Sequence, residues 1–321
     1  MPPSPLIPLP GLVVAADWGA GWDKRWMARA IRETGSTAYT LSNPIPVGDS
    51  SKFLDRVRRG LPEGGTALVG FDFPIGLPAA YAKCRFDGLD FREILKKLKA
   101  DKDTAFFKPT DTPCLATPFG PESAKKGSAF GLATLAEKLG FQEKEILREC
   151  DSRSKANSLF FTLGARQVGR AAADGWQKVI EPALDEVSLW PFDGPLADLL
   201  ARPGVVMAEI YPALFFGSVV KGAGKEKGEP RTRVFRDLLE KARADGLEIV
   251  LTPSAEEWVE AGFASSDDFD PMLSVVGMLR HLRTEPALEP PDEPRVRKVE
   301  GWILGPPRPK TAGPRGKILP R

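Results

Sequence analysis

Three short apolar runs in this chain each end in a single acid. Leu12 to Ala16 is followed by Asp17, Ala67 to Phe71 by Asp72, and Val205 to Ala208 by Glu209. A fourth acidic group, Asp267, Asp268 and Asp270, opens a helix-like stretch; Asp267 and Asp270 stand three apart and share one helix face. In open α/β sheets, functional groups collect at strand ends and adjoining helix starts. A lone acid at a strand end is more often a turn former or a cap, but the repeated pattern points to a shared site. If the ends lie side by side, several carboxylates converge. Like charges that close stay ionised in a partly dry pocket only when cations neutralise them. Hard oxygen donors with open positions suit Mg2+ or Mn2+. Two such ions about 3.5–4 Å apart promote phosphodiester cleavage by water. Asp17, Asp72, Asp267 and Asp270 are therefore the candidate metal ligands, and Glu209 joins them as a candidate catalytic acid.

A nucleic-acid substrate would also need cations and flat rings. The segment from Arg148 to Arg170 carries Arg148, Arg153, Lys155, Arg166 and Arg170, interleaved with Phe160, Phe161 and Gln167. Together with Lys108 and Arg85 these are candidate phosphate contacts, although a charge run is more often a solvated helix face. Trp18 and Trp22 flank the first acid, and Trp18 is a candidate for stacking on a base. A different class of function is also open. AADWGAG, a strand followed by an acid and glycines, is similar to the first phosphate loop of actin-like and sugar-kinase phosphotransferases. The stretch GAGKEKGEP at 222–230 is no P-loop, because the spacing of that motif is missing. A single histidine, His281, argues against histidine-based zinc sites and Ser-His-Asp triads.

The elements that must position these groups follow from pattern. With 321 residues, 42% hydrophobic and 27% charged, the chain can bury a sizeable core and is too apolar for wholesale disorder. A net charge of +2 excludes a histone-like nucleic-acid coat. No apolar run approaches the ~18 residues of a membrane span, and the start lacks the layout of a signal peptide. Three scattered cysteines form neither a disulfide framework nor a zinc spacing, so a reducing cytoplasm is the expected compartment.

Residues 1–10 read as a Pro-rich lead-in, 11–304 as one α/β domain, and 305–321 as a basic Pro/Gly-rich tail. The three apolar runs suit buried strands, and residues 24–42 could supply antiparallel strands around a turn at 33–36. A helix is expected over 50–60, capped by Ser50 or Ser51 and stopped by Gly60. Residues from about 79 to 200 form a mostly helical insertion between two strands, and WPFDGPL closes it. Two amphipathic helices follow, one over 232–246 and one opened by Ser265 or Ser266.

FDFPIGLP, AEIYP, DDFD at a helix start and EGWIL near the end, in that order after Asp17, resemble the DUF 429 group. That group is a predicted nuclease branch of the ribonuclease H-like superfamily, which also holds the Holliday-junction resolvases. LGARQVGRAAADGW and WPFDGPL are similar to an insertion found in part of the group. The resemblance spans most of residues 11–304. It implies a five-stranded mixed sheet flanked by helices, its first three strands antiparallel, with the helical insertion between the fourth and fifth. It further implies a divalent-metal-dependent nuclease acting on nucleic acid, with Asp17 bridging two metals, Asp72 ending the fourth strand and Asp267 and Asp270 on the last helix. A catalytically silent nucleic-acid- or protein-binding module would keep the same fold. Two departures stand out: Trp18 is bulky where the superfamily often carries a small residue, and Pro271 directly follows Asp270, which should place Asp270 at the very start of its helix.

Overall fold

The computed structural model describes residues 7–19, 21–33, 35–123, 130–163, 167–219, 229–284 and 289–305. Arg166, the Gly/Lys loop at 220–228 and the tail from 306 lie outside them. The first strand, β1 (Leu12–Trp18), pairs antiparallel with β2 (Arg25–Arg32), which pairs antiparallel with β3 (Tyr39–Leu41) and with the short β4 (Ile45–Pro46). On its other side β1 runs parallel to β5 (Thr66–Phe71), and β5 runs parallel to β7 (Gly204–Ile210). Three more short strands extend the sheet: β6 (Val187–Leu189) and β9 (Ile303–Leu304) on β7, and β8 (Ile249–Leu251) on β3. The order is β6-β7-β5-β1-β2-β3-β8.

The sheet is thus mixed and helix-flanked as expected, but it has nine strands among the described residues rather than five. The extra strands are two or three residues long. Such segments are too short to show a period of two, and they pair because a neighbour offers an open edge.

The strands LVVAADW and TALVGF are apolar without alternation because both faces of the sheet are covered. Leu12, Val14, Ala16 and Trp18 face one apolar layer, and Val13 and Ala15 face the other. The first layer is formed by α1 (Phe53–Arg59), α2 (Ala79–Phe86), α3 (Phe91–Ala100), α4 (Leu132–Leu139) and α6 (Val168–Gly175), with the short α5 (Glu149–Ser154) nearby. The second is formed by α7 (Leu196–Leu200), α8 (Pro212–Val219), α9 (Glu229–Ala244), α10 (Pro253–Glu260) and α11 (Ser266–Thr284). Among the described residues no helix is long and apolar enough to cross a membrane.

Residues 79–200 hold α2 to α7 and also β6, so this stretch contributes a strand to the sheet edge. The helix expected over 50–60 begins as a short 3-10 turn at Ser50–Lys52. Its cap is Asp49, which accepts the Ser51 N–H, rather than Ser50 or Ser51; an aspartate one residue earlier satisfies the same orphan donor. After β5, Gly76 adopts φ +132°, and a Cβ there would stand 2.1 Å from the Glu300 carbonyl oxygen. This glycine lets the C-terminal segment run against FDFPIGLP, where Leu77 N–H donates to the Val299 carbonyl.

Helix α11 is buried along nearly its whole length, which explains its weak amphipathic pattern. His281 sits in this core at 7% exposure. Burial, aided by Arg280, lowers its pKa from 6.5 to about 4. The unfolded chain takes up this proton near pH 6.5 and the folded chain only near pH 4. The stability is therefore complete above pH 6.5 and is lost as the pH falls toward 4. Urea unfolding at pH 7 and pH 5 should differ by about 2 kcal/mol. The His281→Gln chain should not show that difference, and an equal decline in it would assign the proton to another group.

Candidate functional site

The carboxyl ends of β1 and β5 bring the first two acids together. The ladder pairs Ala16 with Phe71, and the Asp72 N–H donates to the Ala16 carbonyl at 3.0 Å. Asp17 and Asp72 are thus the next residues on adjacent parallel strands, whose axes lie about 4.8 Å apart. Side chains alternate along a strand, so Asp17 follows Val13 and Ala15 onto the α11 face, and Asp72 follows Leu68 onto the same face. Both are half-buried.

The acidic start of α11 lies on that face too. Trp26 stands directly across from Asp17 in the β1–β2 ladder. Its ring lies 6.1 Å from that of Trp258, whose Nε1–H donates to Asp268 at 2.9 Å. Asp268 also accepts from Ala264 N–H, Ser265 N–H and the Ser265 hydroxyl. In return, Ser265 Oγ accepts the Asp267 N–H at 3.1 Å. This is a reciprocal cap, so Asp268 is committed to holding the helix start. Asp267 is half-buried and accepts from the Ser266 hydroxyl, while Asp270 is only 7% exposed.

Pro271 lies inside α11, five residues past its first residue, and not in the first turn. Asp270 therefore sits in the second turn rather than at the very start. The proline has no N–H, so the usual i to i−4 helix bond to the Asp267 carbonyl is absent at this turn.

Glu209 does not join this group. The ladder pairs it with Phe71, one residue out of phase with Asp72, so it falls on the opposite face with Val205 and Met207. There it meets Arg148, which is completely buried and so, contrary to the sequence expectation, makes no phosphate contact. Arg148 Nη1 and Nη2 donate to the two Glu209 oxygens at 2.6 and 2.7 Å. Its Nε and Nη2 donate to the two Asp151 oxygens at 3.0 and 2.7 Å. Ile75 N–H adds a 2.7 Å bond to Glu209. Burial works against the guanidinium charge, but Asp151 and Glu209 more than offset it and hold the Arg148 pKa well above its ordinary value.

Cys150, Asp151 and Glu209 each offer one ligand atom within 4.8 Å of the others, a spacing that could hold a metal ion. The chemistry of this donor set fits an arginine better. Both carboxylates already face a guanidinium fork. Burial also raises the Cys150 thiol pKa well above its usual value, keeping it protonated and a poor ligand. The sequence signal for this cluster is Arg148 and Asp151 three apart, an ion-pair spacing whose acidic third member lies 61 positions from Arg148.

The other candidates divide. Trp18 is 1% exposed and cannot stack on a base: alternation sends it to the face opposite Asp17, where it packs edge-on against Phe53, Phe71 and Phe73. Its Nε1–H donates to Asp174, which also pairs with Arg25 at 2.7 Å and Lys178 at 2.5 Å. Trp22, in contrast, is 74% exposed on the turn after β1. Arg153 is exposed, pairs with Glu149 at 2.7 Å and lies over the Trp302 ring. Lys155 ends α5 in a left-handed conformation and is exposed, as is Lys108. Arg170 donates to the carbonyls of Thr162 and Glu122, so its guanidinium fastens a loop rather than lining a cleft.

The structure therefore places Asp17 and Asp72 side by side and sets the start of α11, with Asp267 and Asp270, on their face of the sheet. It separates Glu209 and Trp18 from them. No protein-family model matches the chain, and neither does any curated protein or solved structure.

Proposed function

We propose that the chain is a divalent-metal-dependent nuclease or phosphodiesterase. The observation that carries this reading is the adjacency of Asp17 and Asp72 on one face, at the ends of two parallel strands, with the acidic start of α11 on the same side. The run β3-β2-β1-β5-β7, its first three strands antiparallel, supports a ribonuclease H-like core and the DUF 429 resemblance. The donor set consists of hard carboxylate oxygens with no sulfur or imidazole, which suits Mg2+ or Mn2+.

Asp17, Asp72 and Asp270 would hold two such ions, with Asp267 as a further candidate ligand. The ions would supply Lewis-acid stabilisation of charge on a phosphodiester. Asp268 fixes the helix start so that Asp270 is held in place. The exposed Trp22 ring offers a stacking surface for a nucleobase at the rim.

The test is cleavage of labelled DNA, RNA, hybrids and branched junctions with Mg2+ or Mn2+, in parallel with the Asp17→Asn chain. Metal-dependent cleavage lost in the variant is the expected result. Binding without cleavage under either metal would instead mark a silent binding module, and ATP turnover with a small acceptor would mark a phosphotransferase.

A further inference from the structure

Arg231 lies in the first turn of α9 and is 4% exposed. Its Nε and Nη1 are buried, and neither finds a hydrogen-bond partner among the described residues. The guanidinium carbon lies 6.0 Å from the centre of the Phe269 ring. Phe269 packs in turn against Phe216 and Phe263, and Phe263 against Phe235. The guanidinium thus rests on an aromatic shelf, which attracts its charge but accepts none of its in-plane N–H bonds.

Helical side chains lean toward the N-terminus, so the Arg231 head lies toward the positive end of the α9 dipole. A second positive charge there, withdrawn from water and short of acceptors, is unfavourable in the free chain. Arginine cannot escape by losing its proton. A bound anion relieves each of these penalties.

We propose that Arg231 is the anion receptor of the strand-end site and that its ligand is a phosphate group. The rigid guanidinium fork matches two oxygens of a phosphate. Phe269 directly precedes Asp270, so the guanidinium rests on the turn of α11 that carries this acid. That the phosphate belongs to a nucleic-acid strand rests on the function proposed above. The receptor itself rests on Arg231.

Thermal melting of the full chain in EDTA, at constant ionic strength, tests this with inorganic phosphate and with oligothymidylate. At tenfold excess over its dissociation constant, each should raise the melting temperature by about 2 °C. The Arg231→Met chain should melt no lower than the parent without ligand and should not respond. An unresponsive parent, or an equal response in Arg231→Met, overturns the proposal. Should that variant fail to fold, Arg231→Lys keeps the charge without the fork, and titration calorimetry should show phosphate binding weakened about tenfold; unchanged affinity overturns the proposal. Asp17→Asn should keep the phosphate response. A parent that responds to phosphate but not to Mn2+ would retain the receptor and refute the metal-dependent nuclease, while the reverse would refute the receptor alone.

Discussion

Replacing Arg148 with methionine is expected to destabilise the fold by about 3–5 kcal/mol. Arg148 and Asp151 are at most 1% exposed and Glu209 is 3% exposed, and the guanidinium spans both carboxylates. Removing it leaves two carboxylates of like charge in a dry interior without their cation, so the cost is that of the stranded charges rather than of one lost contact. Urea unfolding at pH 7 measures it, and a loss under about 1 kcal/mol would mean that the cluster is hydrated in solution. Replacing Arg148, Asp151 and Glu209 together by apolar residues of similar size should recover most of the loss, since all three charges leave the interior at once. This result also bears on the role of Glu209. A residue that carries structure on the far face should, when changed to glutamine, weaken the fold and leave the response to metal intact.

Changing Asp17 to asparagine is expected to produce the opposite pattern: a small effect on the metal-free fold and a large one on everything that depends on metal. In the parent chain, Mn2+ at tenfold excess over its dissociation constant should stabilise the fold by about 1.4 kcal/mol, seen as a rise of about 2 °C in melting temperature. Asp17→Asn removes a charged oxygen from the proposed metal site and should abolish the rise. Cleavage should fall by more than about 100-fold, because loss of even an outer partner of a metal site costs 10–100-fold. Asp72→Asn should behave alike, since the register sets it beside Asp17 at the adjacent strand end and alternation turns both to the same face. Asp268→Asn separates helix capping from ligation: it should lower stability by about 1 kcal/mol and keep the Mn2+ response. A Mn2+ response that survives in both Asp17→Asn and Asp72→Asn would remove the strand-end acids from the metal site.

Much of the frame was legible from residue order. Apolar runs without alternation, each closed by an acid, marked β1, β5 and β7. Helical spacing marked α3, α4 and α9, and the polar start with Ser265 marked α11. These signals are local: burial on both faces demands continuous apolar residues, and a helix cap demands a short polar side chain at its first turn. The short strands at the sheet edges left no comparable mark, because two or three residues carry no period and their pairing is set by a distant neighbour. Arg148 and Arg231 were equally hard to read, since burial of a cation depends on helices that meet it from other parts of the chain.

The sequence by itself determined which residues could carry chemistry and which segments would hold them. Tertiary structure alone decided which of the acids meet. Asp72 lies one step beyond the Ala16–Phe71 pair and lines up with Asp17, whereas Glu209 pairs with Phe71 and is out of phase by a single residue. In a pleated sheet one residue of register turns a side chain to the other face, so three acids that look equivalent along the chain end on two sides of it.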